Sequence, residues 1–123
     1  MEFLDLQIDE MDAIEKRYYK YDFPAVSFHR NTKNYVAFFN KQAAKMLEGY
    51  VCAKIYANAE NIVFVFSDKK DCHSHKIHRN NAGGIFMSCS ALQRLMLEGK
   101  TYKLYNTKKG LAIKINEPIK NRK

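Results

Sequence analysis

The 123-residue chain has no tryptophan, two prolines, five glycines and three cysteines. So little proline and glycine excludes a collagen-like or low-complexity chain. Three cysteines, an odd number without framework spacing, exclude a disulfide scaffold and fit free thiols in a reducing cytoplasm. No stretch approaches the ~18 consecutive apolar residues that span a membrane, so no membrane partner is expected. Residues 1–15 contain no lysine or arginine, so the positive segment that opens a secretory signal is missing. A cytoplasmic protein is therefore expected. Also missing are a phosphate-binding glycine loop, a dinucleotide fingerprint and a hydrolase elbow, so no cofactor is expected.

What is present is bulk and positive charge. Apolar residues make up 46% of the chain, with eight phenylalanines and eight tyrosines, enough for a core without disulfides. Residues 1–15 carry six acidic side chains. All 21 basic residues lie in 16–123, against seven acidic ones, a net charge of +14 for that part. Such a balance suggests a polyanionic partner.

The chain also repeats itself. His29-Arg30-Asn31 returns as His78-Arg79-Asn80, forty-nine residues on. Met46-Leu47-Glu48-Gly49 returns fifty residues on as Met96-Leu97-Glu98-Gly99, and Lys54-Ile55-Tyr56 forty-nine on as Lys103-Leu104-Tyr105. Apolar positions follow the same spacing, with Val36 matched to Ile85, Ile62 to Leu111, Phe64 to Ile113 and Phe66 to Ile115. Ordered strings of this kind indicate an internal duplication.

Each unit reads as strand, strand, short helix, strand, strand. In the first, strands are expected over Ala25–Arg30 and Tyr35–Phe39. A helix capped by Asn40 is expected over Lys41–Glu48 and stopped by Gly49, followed by strands Cys52–Ala57 and Asn61–Phe66. In the second, strands are expected over Lys76–Arg79 and Ile85–Ser88. A helix capped by Ser88 or Ser90 should run to Gly99, before strands Tyr102–Tyr105 and Leu111–Ile115. Residues 1–24 form an acidic and aromatic segment with a helix through Asp9–Tyr19, because Leu6, Met11, Ile14 and Tyr18 lie at near-helical spacing. The units span 25–67 and 76–116, joined by a connector over 68–75 and followed by a basic tail over 117–123. The expected fold is α+β and mostly β: two β-β-α-β-β units paired about a pseudo-two-fold axis in one compact domain, which buries faces that neither unit could bury alone.

The run Tyr35-Val36-Ala37-Phe38-Phe39-Asn40-Lys41, the short helix to Gly49, Lys54-Ile55-Tyr56 and Ile62 to Phe66 together resemble the swapped-hairpin unit of AbrB-like DNA-binding regulators. Ile85 to Ile115 resembles it too. A single chain with two such units is similar to the duplicated, MraZ-type members. The resemblance implies a pseudo-dimeric barrel and a DNA-binding face made by the first strand, its turn and the start of the helix. Carried over, that face holds Arg30, Lys33, Lys41 and Arg79. The family's Gly-Arg pair before the second strand is replaced here by Asn34-Tyr35 and Gly83-Gly84. Its proline at the helix start is replaced by Asn40-Lys41 and Cys89-Ser90.

The candidate nucleic-acid-binding residues are His29, Arg30, Lys33, Lys41, Lys45, Lys76, His78, Arg79 and Arg94. Arginine can fork onto phosphate or guanine, and lysine supplies a point charge. Competing readings remain for each motif. The asparagines of the repeated string can simply form turns. Cys72, His75 and His78 have ligand-like spacing for zinc but no second ligand pair. Cys89 at a helix start could have a lowered thiol pKa. Paired histidines near basic residues could cleave RNA, although nothing in the sequence fixes their geometry. Tyr18, Tyr19, Tyr21 and Phe23 could pack on the core or stack on a ligand. The expected function is a non-enzymatic, DNA-binding regulatory protein, monomeric as a pseudo-dimer or homodimeric. The alternative is a protein-interaction module, such as an antitoxin-like or mobile-element-encoded inhibitor, that binds its partner through the N-terminal segment.

Overall fold

The structure is a computed structural model that describes residues 4, 5, 7, 9, 21–30, 34–70, 73–81 and 83–119. The helix expected over Asp9–Tyr19 lies outside these residues except for Asp9. The described chain is mostly β, with few helical residues and two antiparallel five-stranded sheets. Among the described residues no helix is long and apolar enough to cross a membrane.

The first strands among the described residues are β1 (Ala25–Arg30) and β2 (Tyr35–Phe39), which pair from Val26↔Phe39 to Arg30↔Tyr35. Alternation in β1 sends Val26 and Phe28 into the core and leaves His29 outside. Asn40 then caps the helix α1 (Lys41–Met46). Its Oδ1 accepts from the N–H groups of Ala43 (3.0 Å) and Ala25 (3.1 Å), and its Nδ2 donates to the Phe23 carbonyl (2.9 Å). One side chain thus fixes both the helix start and the start of β1. The helix is shorter than expected and ends at Met46, with Leu47 as C-cap. In β3 (Cys52–Ala57) and β4 (Asn61–Ser67) the hairpin closes on Asn58, whose Oδ1 accepts from the N–H groups of Glu60 and Asn61.

Two strands expected in the second half are each divided. The single strand expected over Lys76–Arg79 is two short ones, β5 (His75–Lys76) and β6 (His78–Arg79). Strand β5 pairs with β3, whereas β6 pairs with β7 (Ile85–Ser88). The break falls at Ile77, which is buried and donates its N–H to the Val51 carbonyl at 3.0 Å. Likewise the strand expected over Tyr102–Tyr105 is divided into β8 (Thr101–Lys103), on β1, and β9 (Tyr105–Asn106), on β10 (Leu111–Lys114). That break falls at buried Leu104. Two extended segments therefore turn the corner from one sheet to the other.

The second helix is also corrected. Ser90–Leu95 is a 3-10 helix with Cys89 at the cap position and no side-chain cap. Neither Ser88 nor Ser90 caps it, and Met96 ends it in the left-handed region (φ 54°).

The first sheet runs β6-β7-β2-β1-β8 and the second β5-β3-β4-β10-β9. Their inner faces share one core, with the Phe39 and Phe64 rings edge to face at 5.2 Å. Full burial of each such ring contributes about 1.5–3 kcal/mol. The register has a numerical regularity. Adding 49 to one partner and subtracting it from the other carries Ala37↔Met87 onto Phe38↔Phe86. The same operation carries Ile62↔Ile113 onto Phe64↔Leu111, and Val26↔Tyr102 onto Ala53↔His75. The repeated Met-Leu-Glu-Gly string has a local structural use: Leu47 and Leu97 are core residues, while Gly49 and Gly99 take positive φ of 86° and 79°.

Candidate nucleic-acid interface

Lys41 and Lys45 lie four residues apart on the exposed side of α1, because Ala43 and Ala44 occupy the buried side. The β6–β7 turn packs beside them. It is closed by Asn80, whose N–H donates to the Gly84 carbonyl (3.0 Å) and whose Oδ1 accepts from the Gly84 N–H (2.9 Å). Between helix and turn is a cleft of about 210 Å³ lined by Lys41, Lys45, Glu48, Arg79 and Asn80. A second cleft, of about 710 Å³, shares Arg79 with the first. Its lining includes Tyr50, Val51, Lys70, Lys76, His78 and Arg79.

Arg79 lines both clefts and has a structural role of its own. Its Nη2 donates to the carbonyls of Leu47 (2.9 Å) and Tyr50 (3.2 Å), just beyond the end of α1. A cation there complements the negative end of the helix and ties together the turn that follows it, in which the Leu47 carbonyl also accepts from the Tyr50 N–H at 3.2 Å.

Lys41, Lys45, Lys76, His78 and Arg79 are thus brought together from α1, β5 and β6. Arg30, at the exposed end of β1, and Arg94, in the last turn of the 3-10 helix, line neither cleft. Lys33 lies outside the described residues. His29 belongs to another arrangement on the outer face of the first sheet. Its ring meets Phe38 edge-on at 5.2 Å, Phe38 lies 5.5 Å from Phe86, and Phe86 is stacked on His78 at 5.1 Å. Phe38 is 37% exposed although both its neighbours are buried. Sequence reasoning missed Phe38 and Phe86. The five apolar residues of β2 hide the alternation that would have exposed Phe38, and only the cross-strand register sets the two rings side by side.

The other candidates fall elsewhere. His75 shares a 2.9 Å hydrogen bond between Nδ1 and the Ser88 carbonyl, and Cys72 is outside the described residues. No group of three histidine, cysteine or acidic residues that could hold a metal occurs among the described residues. Tyr21 and Phe23 lie 5.2 Å apart, and Lys103 sits over the Phe23 ring at 5.3 Å. Tyr18 and Tyr19 fall outside the described residues.

The idea of an activated Cys89 is overturned. The thiol is fully buried, and burial pushes it from its ordinary 9.0 up to about 12, outweighing a backbone hydrogen bond at Ala37. Tyr35 rises from 10.0 to about 12, chiefly by burial, against the lowering effect of the Leu97 N–H. Burial raises Tyr102 as well. All three hold their protons more tightly folded than unfolded. Their contribution to stability is complete below pH 9 and is lost as pH rises from there towards 12. The melting temperature is expected to be level from neutral pH to about pH 9 and to fall above it. A melting temperature that stays level to about pH 11 would show these groups open to water.

No family model, curated protein or solved structure matches this chain.

Proposed function

We propose that the chain is a non-enzymatic nucleic-acid-binding protein with a regulatory role, DNA being the first ligand to test. Its architecture on this reading is AbrB-like: two related units, 25–67 and 76–116, closed on each other as a pseudo-dimeric swapped-hairpin barrel. The 49-residue shift carries the β2–β7 and β4–β10 pairings onto themselves and β1–β8 onto β3–β5, which supports the duplicated part of this reading.

One observation carries the binding role. Lys41, Lys45, Lys70, Lys76 and Arg79 line two clefts that share Arg79, and Glu48 is the one acidic side chain among the described residues of their lining. A run of cations with a single opposing charge suits a phosphodiester backbone, where each neutralised phosphate releases counterions and steepens the salt dependence.

The test is a Lys41→Ala/Lys45→Ala/Lys76→Ala variant titrated with a labelled oligonucleotide over a salt series. Arg79 is kept, because its loss would also release the end of α1. The parent protein is expected to bind with a steep salt dependence. The variant's log–log slope should be shallower by about 0.7–0.9 for each phosphate that the variant leaves unneutralised. Equal affinity and equal slope in parent and variant would remove the clefts from the function.

A further inference from the structure

We infer that the outer face of the first sheet is a base-stacking platform, so the nucleic acid held by the clefts is single-stranded. The inference rests on the binding role just proposed and names its ligand class.

The row His29, Phe38, Phe86, His78 crosses four adjacent strands, with ring centroids 5.1–5.5 Å apart. An outward-facing residue on an antiparallel sheet is ordinarily polar. Here the two central positions of the row carry phenylalanine: Phe38 is 37% exposed, and Phe86 is half-buried with the His78 ring stacked on it. An outward-facing row of rings held in fixed register is informative in a way that a lone surface phenylalanine is not.

The charge beside the row decides the occupant. His78 is the junction: one face of its ring stacks on Phe86, and the residue also lines the larger cleft with Lys70, Lys76 and Arg79. A ligand lying along this path meets aromatic rings first and cations next. An apolar peptide would match the rings but not the lysines. A duplex would match the lysines but keeps its base faces inside its own stack, out of reach of Phe38 and Phe86. A strand with unpaired bases matches both parts, since every base has a face to stack and every linkage a charge. The two phenylalanines at its centre have no hydrogen-bonding group with which to read a base, so tolerance of sequence is expected.

The experiment compares three probes of about twelve nucleotides, oligothymidylate, oligouridylate and a mixed-sequence duplex, by fluorescence anisotropy across salt. The parent should bind a single strand about tenfold or more tighter than duplex, with the DNA and RNA arms separating the two sources of unpaired bases. Phe38→Ala/Phe86→Ala should weaken single-strand binding about tenfold or more while leaving the salt slope unchanged. Phe38→Tyr/Phe86→Tyr, which keeps both rings, should restore it. Thermal melting of each variant confirms folding. Duplex binding as tight as single-strand binding would overturn the inference, as would an alanine variant that binds single strands like the parent. In either case, binding that depends on Lys41, Lys45 and Lys76 keeps the role of the clefts and removes only the platform. No binding to any probe at low salt removes both.

Discussion

Gly110→Ala is expected to destabilise the protein by about 3 kcal/mol or more. Gly110 sits at the entrance to β10, in a turn where its carbonyl accepts from both the N–H and the hydroxyl of Thr107 at 2.8 Å. A Cβ at this position would overlap the Phe64 carbonyl and come within 3.1 Å of the Val65 Cα. Both obstacles are backbone of β4, the strand with which β10 pairs from Leu111↔Phe64 onwards. Nothing flexible can yield, so the turn itself must move and the first rungs of the ladder with it. Gly49→Ala is the informative contrast. It has open space around it and only a positive φ of 86°, a cost of about 1–2 kcal/mol. Urea unfolding of the two variants separates the cases. A Gly110→Ala midpoint equal to the parent's would show that the turn shifts freely.

Tyr35→Ala should cost about 3–5 kcal/mol, the range for removing a buried aromatic ring. Tyr35→Phe should still cost about 1–3 kcal/mol, although the ring remains. The hydroxyl accepts from the Leu97 N–H at 2.8 Å and donates to Glu98 Oε2 at 3.3 Å. Without it, a buried backbone donor is left without a partner at the end of the 3-10 helix. Thus Tyr35 of the first half secures the helix end of the second, as Arg79 of the second half secures the end of α1. A Tyr35→Phe variant as stable as the parent would show that water reaches the Leu97 N–H.

How much of this was legible follows from what each residue is used for. The alternation in Ala25–Arg30 and the Asn40 cap are local, and both were readable. The breaks at Ile77 and Leu104 were not, because an extended segment keeps the same pattern on both sides of a corner and does not say which sheet it joins. Ser90–Leu95 reads as an ordinary helix, yet it is 3-10 and ends at Met96 in the left-handed region, a departure its own helix-forming residues do not foretell. In the candidate site, Lys41 and Lys45 were predictable from helical spacing. The bond from Arg79 to Leu47 was not, since its target is a carbonyl thirty-two residues away. Of the repeated His-Arg-Asn string, the second copy divides its labour three ways: His78 stacks, Arg79 secures a helix end and Asn80 closes a turn.

The register also sets where this chain can change its length. One residue added within β2 would turn Phe39 outward and Phe38 into the core, and would break the pairing with β1 and β7 at once. The helical segments are more permissive. From Asn40 to Met46 the first half takes six steps, whereas from Cys89 to Met96 the second takes seven. The difference is returned before β8, since Gly49 to Cys52 is three steps and Gly99 to Thr101 is two. If the halves are the repeats proposed above, an insertion and a deletion are hidden between ladders that never lose count, and natural variation in length should gather in these helical passages and in the connector.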